Sequence, residues 1–326
     1  MKGRPLGDTH HPGTAPSDMS TPKVIYIGEH GRSGTTIVDR ILAEVTGGFS
    51  AGEIHRFWAY GLARDWTCSC GVKLRNCDFW GDVLQQSFSE CGCTEKEVLE
   101  AWRTVARPRS LLSLRYPRLR TSRFQSRLSR YRSFLSTLYR TVSQRSGKRV
   151  IVDSSGSPLH GYIISGLRDV EVGMIHLVRD ARAVAFSNQT RKPNPSDPKT
   201  GATMKTKPVL RVSITWMLYN YLLEGLKSQF GWYEIEKYEE VFDNPRRNIQ
   251  KTIDKLKIGG KKEKFFVGKK MINISIEHTG QGNPSCFNRG RIDLETECRW
   301  IKQMSTVSRF TATVLCCPFL SKYGYV

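Results

Sequence analysis

The 326-residue chain has no apolar run near the roughly 18–20 residues that a membrane-spanning helix needs. Its first twenty residues (MKGRPLGDTHHPGTAPSDMS) lack the apolar middle of a signal peptide. A soluble, cytoplasmic protein is therefore the expectation. No glycine or proline period marks a fibre, and no internal repeat is visible. With 39% hydrophobic and 25% charged residues, the composition argues against wholesale disorder and is sufficient for a large core. One stretch lacks a whole charge class: from Arg103 to Arg149 there are fourteen basic residues and no acidic one. That segment carries two-thirds of the net charge of +21 and leaves the rest nearly neutral. It should attract polyanions, but charge alone does not choose among nucleic acid, anionic lipid, acidic glycan and phosphorylated ligands.

Nine cysteines are present, five of them clustered as Cys68, Cys70, Cys77, Cys91 and Cys93. Their C-x-C-x6-C and C-x-C spacings do not match a standard zinc finger. Without a secretion signal, reduced thiols are expected rather than a disulfide framework, and no metal site is assigned.

Val24-Ile25-Tyr26-Ile27 reads as a buried strand, followed by a glycine-rich turn and, from Thr35, apolar residues at helical spacing. Further strands are predicted at Val150-Ile151-Val152, Met174–Val178 and Trp232–Tyr238. The basic segment carries Phe124, Leu128, Tyr131, Leu135, Leu138 and Val142 on one face of a long helix that ends near Gly147. Other helices are expected after Asp180, at about 209–229, 245–257 and 293–313, with a loop at 190–208. Strands alternating with helices imply an α/β, three-layer, P-loop-like fold with a central, mostly parallel sheet flanked by helices. Residues 1–21 read as a flexible leader. Residues 22–326 read as one domain with a basic helical insertion at about 100–149. Ligands bind beyond the carboxyl ends of strands in such sheets, where Glu29, Asp153 and Arg179 fall.

The turn Gly28-Glu29-His30-Gly31-Arg32-Ser33-Gly34-Thr35-Thr36 has the makings of an anion cradle. Glycines let backbone N–H groups converge, and the succeeding helix adds a partial positive charge. It is not a Walker A loop, because Thr35 stands where Lys is needed and the fixed charge comes earlier, from Arg32. An ordinary ATPase is thereby disfavoured.

With its later motifs included, the chain resembles the sulfotransferases that use 3′-phosphoadenosine 5′-phosphosulfate (PAPS), especially the bacterial, carbohydrate and tyrosylprotein branches. Arg32-Ser33-Gly34-Thr35-Thr36 resembles their 5′-phosphosulfate loop. Leu177-Val178-Arg179-Asp180 with Ser187 resembles their 3′-phosphate motif. Asp153-Ser154-Ser155, Tyr238-Glu239-Glu240 with Asn244-Pro245, His278 with Gly282-Asn283-Pro284, Trp300 and Tyr323-Gly324-Tyr325 are similar to other family elements, so the likeness spans about 22–326. Two positions depart from the pattern. Gly156 stands where Lys is common, and Cys286 stands where Arg is common, with Arg289 and Arg291 as the nearby substitutes.

The resemblance implies sulfuryl transfer from PAPS to a hydroxyl or amine, with Arg32, Ser33, Gly34, Thr35, Thr36, Arg179 and Ser187 holding the donor in two separate cationic pockets. Arg32 and the loop amides would stabilise the leaving phosphate, and the logic requires no metal. Glu53, after Gly52, resembles the G-E element that supplies the base in tyrosylprotein relatives. His55 and His30 are its rivals, whereas His176, Trp216 and Asn220 read as core. The acceptor class stays open, with an anionic glycan or a small hydroxyl compound expected. The arginines at 123, 127 and 130 are either a solvated face or a guide for an anionic acceptor. Two other readings compete: a polyanion- or nucleic-acid-binding protein, and a P-loop kinase-like module. The first lacks the usual motifs and stacking aromatics.

Overall fold

Alternate residues of the central strands face two different cores, which is what a sheet covered on both sides requires. The computed structural model describes residues 21–63, 66–190, 205–256, 265–275, 278–280 and 284–326. The expected leader up to residue 20, most of the loop expected at 190–208, and Gly282-Asn283 lie outside the described residues. In chain order the elements are β1 (Lys23–Gly28), α1 (Thr35–Thr46), β2 (Phe49–Gly52), α2 (Asp78–Cys91), α3 (Glu95–Val105), α4 (Leu111–Arg115) and α5 (Ser122–Ser146). Then come β3 (Val150–Gly156), α6 (Pro158–Ile164), β4 (Glu171–Val178), α7 (Ala181–Gln189), α8 (Val209–Glu224), β5 (Tyr233–Lys237), α9 (Tyr238–Asp243) and α10 (Pro245–Leu256). The chain closes with β6 (Met271–Ile274), β7 (Gly290–Asp293), α11 (Arg299–Gln303) and α12 (Thr306–Lys322).

Five strands form a wholly parallel sheet in the order β2-β3-β1-β4-β5, and β6 pairs antiparallel with β7 apart from it. Val24, Tyr26, Ile151 and Met174 pack against the side chains of α2, α3, α5 and α6. Ile25, Ile27, Val152, Ile175 and Leu177 pack against α1, α9, α10 and the small hairpin. This is the three-layer α/β architecture that the sequence predicts. A third cluster joins α7, α8 and α12 around Trp216 and Cys316, beyond the end of β4.

Three expectations are corrected. The strand expected at 150–152, with Asp153 at its end, runs on to Gly156 and holds Asp153 inside it; the stretch 49–52, where no element is expected, is also a strand, too short to show an alternation. The helix expected at 209–229 ends at Glu224. The C-terminal helix expected at 293–313 is instead β7, the short α11 and the long α12. Ser305 starts α12 by accepting a hydrogen bond from the Ser308 N–H, so the chain re-enters helix there and continues through Pro318 to Lys322.

After β1, the chain passes through α1 to β2 on one side, whereas β4 lies on the other. The crevice beyond the carboxyl end of β1 is thus the point where strand order reverses, the usual ligand position in such sheets.

Candidate functional site

The loop between β1 and α1 turns on three residues with positive φ: Gly31 at 89°, Arg32 at 67° and Gly34 at 74°. In a turn of this kind, backbone N–H groups can point into one concavity. Gly34 also caps α1, and a Cβ there would lie 2.6 Å from the Tyr238 ring, so only glycine fits. The loop already holds a carboxyl oxygen: the Gly31 N–H donates to Glu29 Oε2 at 2.5 Å. Burial pushes the Glu29 carboxyl up, opposed by hydrogen bonds from the Thr35 and Ser33 side chains and the Gly31 backbone. Ser33, Thr35 and Thr36 are all buried around this turn.

Arg179 comes directly after β4 and is 5% exposed. Its guanidinium lies over the Tyr238 ring at 4.2 Å, Nη1 donates to the Arg32 carbonyl at 2.6 Å, and Nη2 donates to the Glu297 carbonyl at 3.3 Å. Its Nε is buried with no partner among the described residues. Arg179 and the loop, which the resemblance assigns to two separate pockets, are thus bonded directly to each other. Arg179 is not paired with the neighbouring Asp180, which caps α7 and binds Arg182. Ser187 is buried on α7 two turns along.

Distant residues converge on Arg179 and on Asp180 and Arg182 just after it. Trp216 Nε1 donates to the Arg179 carbonyl at 3.1 Å. Glu239 accepts from the Asp180 N–H and from the Tyr325 hydroxyl, and Arg182 lies over the Trp300 ring at 5.0 Å. Asn220 and Tyr233 bind the two ring nitrogens of His176, so that histidine is fixed in the core, and burial brings it to about 4.

Glu53 stands at the carboxyl end of β2. Its side chain keeps 19% exposure, and Oε2 accepts from Arg56 Nε at 2.8 Å. Burial pushes its carboxyl up to about 7; Arg56 and Arg32 oppose the shift, while Glu29 and Asp153 add to it. Arg32 is in turn lowered by burial, with Glu29 and Glu53 among the charges it feels. The loop, Glu53 and Arg56 thus form one electrostatic neighbourhood, and Lys207 senses Arg32 and Arg56 from just before α8. Neither Arg56 nor Lys207 belongs to a sequence motif. Arg56 sits three residues after Glu53, a spacing that could have suggested the pair, but Lys207 is joined only through space.

The two histidine rivals have different surroundings. His30 binds Thr215 Oγ1 at 2.8 Å and meets the Tyr219 ring edge-on, and burial lowers it to about 4. Burial holds His55 well below the usual histidine range, and its backbone N–H donates to Ser155 Oγ at 3.0 Å. His55 lines a cavity of about 60 Å³ with Trp102, Tyr131, Ser157 and His160. Asp153, fully buried, accepts from the Tyr139 hydroxyl at 2.5 Å and the Ser155 N–H at 2.9 Å, and meets His160 Nε2 at 2.8 Å. The Asp-Ser-Ser element is thus a buried brace under the site.

The first departure has a local partner, and the substitutes named for the second lie away from the loop. Gly156 has φ 69°, and its carbonyl accepts the Glu29 N–H at 3.1 Å, so this end of β3 closes against the loop. Arg289 donates to the Ser69 carbonyl at 3.1 Å rather than reaching the loop, and Arg291 is exposed on β7.

The sulfotransferase domain of the Synechococcus PCC 7002 olefin synthase superposes on this chain with a TM-score of 0.50, at 17% identity, over 93% of this chain and 96% of that one. The chain has a sulfotransferase fold. A sulfotransferase domain from the curacin biosynthetic pathway aligns at 16% identity with a TM-score of 0.46, over 90% of this chain and 97% of that one. No family model matches the chain, and no curated protein matches it. Within this sulfotransferase fold, the loop and Arg179 occupy the crevice at the strand-order reversal. Among the described residues, no helix is long and apolar enough to cross a membrane.

Proposed function

We propose that the protein transfers a sulfuryl group from PAPS to an acceptor hydroxyl or amine by in-line displacement. The observation that carries this reading is the junction of the 28–36 loop with Arg179, bonded at 2.6 Å and flanked by Glu53 at the carboxyl ends of β1, β4 and β2. The residues present suit the donor. The loop's converging amides, Arg32 and Arg56 suit an anion, and Arg179 Nε is a buried donor without a partner among the described residues. The donor, when bound, supplies an activated sulfate on a phosphate leaving group.

The chain's own residues divide the remaining work. Arg32, the loop N–H groups, Ser33, Thr35 and Thr36 hold the phosphosulfate and balance charge on the departing phosphate oxygen. Arg179, flat on Tyr238, holds the 3′-phosphate with Ser187. Glu53 takes the acceptor proton as the acceptor–sulfur bond forms and the sulfur–phosphate oxygen bond breaks, with the electron pair leaving on phosphate. A carboxyl with a pKa of about 7 suits a base working near neutral pH.

Thermal melting with adenosine 3′,5′-bisphosphate, ATP and a DNA duplex tests the binding half. Selective stabilisation by the bisphosphate is expected, because a ligand bound only by the native state raises its stability; equal or greater stabilisation by ATP or DNA overturns it. With labelled PAPS, Arg179→Ala should chiefly raise the donor KM. Glu53→Gln should lower kcat by about 10²–10⁴ while donor binding holds. Undiminished turnover in the Gln variant removes Glu53 as base.

A further inference from the structure

Three cysteines whose spacing fits no standard zinc motif are brought together with one distant histidine. Cys68, Cys70 and Cys77 lie in and just after a tight turn, and His278 reaches them from the segment after β6. The four ligand atoms all lie within 4.8 Å of one another. Cys70 Sγ is 3.8 Å from Cys77 Sγ, and His278 Nδ1 is 3.2 Å from Cys77 Sγ and 4.0 Å from Cys68 Sγ. Tetrahedral zinc with bonds of about 2.3 Å to sulfur and about 2.0–2.1 Å to nitrogen spaces its ligands about 3.8 Å (S–S) and about 3.5 Å (S–N) apart. We propose that Cys68, Cys70, Cys77 and His278 bind one structural zinc ion.

The surroundings are those of a metal site rather than of a chance cluster of thiols. The Cys70 N–H is directed at the Cys68 sulfur, and the Phe79 and Trp80 N–H groups at the start of α2 are directed at the Cys77 sulfur. Hydrogen bonds of this kind commonly support the ligands of a metal ion. The Phe79 ring stacks on the imidazole at 5.5 Å and 17°, and Trp80 Nε1 donates to the His278 carbonyl, which together fix the histidine in place. All four positions are ligands, with no open place for water, so the ion would be structural. Soft sulfur with imidazole in a tetrahedron selects zinc among common divalent ions. Cys91 and Cys93 stand apart at the end of α2 and serve as internal controls.

The ion would staple the 278–280 segment to the edge of β2. Ser69 and Thr279 exchange backbone and side-chain hydrogen bonds, Thr279 Oγ1 meets Ser50 Oγ at 3.1 Å, and the Gly280 N–H donates to the Ala51 carbonyl at 3.3 Å. That strand leads directly into Glu53, but the metal assignment does not depend on the sulfuryl-transfer reading.

The test is elemental analysis of the full chain purified under reducing conditions, with melting before and after chelation. One zinc per chain is expected, with a lower melting temperature after chelation that zinc restores. Cys70→Ser and His278→Ala should lose most of the metal, whereas Cys91→Ser should keep it. If the ligand variants fold poorly, cobalt substitution of the wild type reads the same site: intense tetrahedral d–d bands with thiolate charge transfer are expected. Metal-free protein whose melting ignores added zinc, or an intact mass that reveals a disulfide among the three cysteines, overturns the assignment.

Discussion

Arg32 is the one non-glycine residue with positive φ among the described residues. A left-handed L-residue costs about 1–2 kcal/mol, and here the strained residue is also the cation of the anion loop. Arg32→Gly should therefore raise the melting temperature while weakening adenosine 3′,5′-bisphosphate binding, as calorimetry and titration would show; a variant less stable than wild type would mean that the side chain, not its backbone, holds the turn. Glu53 makes a second opposition. Its native carboxyl titrates near 7 against an ordinary value of 4.5, so between these values the native state binds the extra proton and stability falls as pH rises. Glu53→Gln removes that dependence, and its melting temperature should gain on wild type from about pH 5 to about pH 8. Wild-type kcat should rise over the same window, because the base must be ionised. At this scale Arg32 and Arg179 were legible from their places after predicted strands, and Glu53 only from its likeness to the G-E element, since β2 itself leaves no period. Tyr238 beneath Arg179 and Lys207 near Arg32 were not legible as partners, because their proximity is made by packing and leaves no spacing in the chain.

The long helix α5 shows how an element can differ from its own sequence. Its composition is basic, with no acid to answer the arginines. In the fold, Arg127 meets Glu100 at 3.0 Å, Arg130 meets Glu97 at 2.5 Å, Arg140 meets Glu90 at 3.2 Å and Arg145 meets Asp82 at 2.8 Å. The acids come from α2 and α3, which pack against it. Much of the apparent cationic field is thus internally balanced, and an anionic acceptor gains less from this helix than its composition suggests. Combined Gln substitutions at Arg123, Arg127 and Arg130 should leave the KM of a neutral hydroxyl acceptor unchanged. A steep, salt-sensitive rise in KM for a charged glycan would instead assign these arginines to acceptor capture. The apolar stripe of α5 was legible because six residues repeat it. The strand β2 was not, because four residues are too few to establish a period.

At the scale of the molecule, the sequence carried the order of strands, helices and motifs well enough to predict a three-layer parallel sheet and where β1 and β4 end, but not that β3 continues past Asp153 to Gly156. It carried little about the small β6–β7 hairpin or the assembly of α8, α11 and α12 around Arg179, since these depend on contacts between segments distant in the chain. The site draws on both kinds of information: the loop and Arg179 are local in sequence, while Trp216, Glu239, Glu297 and Tyr325 arrive from distant elements to fix one guanidinium and its flanking backbone. The sheet's two flanks also differ in kind. Beside β2, the Gly280 N–H takes up the Ala51 carbonyl, so part of that border is already covered. Along β5, Glu234 and Lys237 are half-buried charges near the other rim, while Glu236 is buried against Thr252. A covered carbonyl on one border and charge beside the other are features that work against strand-to-strand joining between copies.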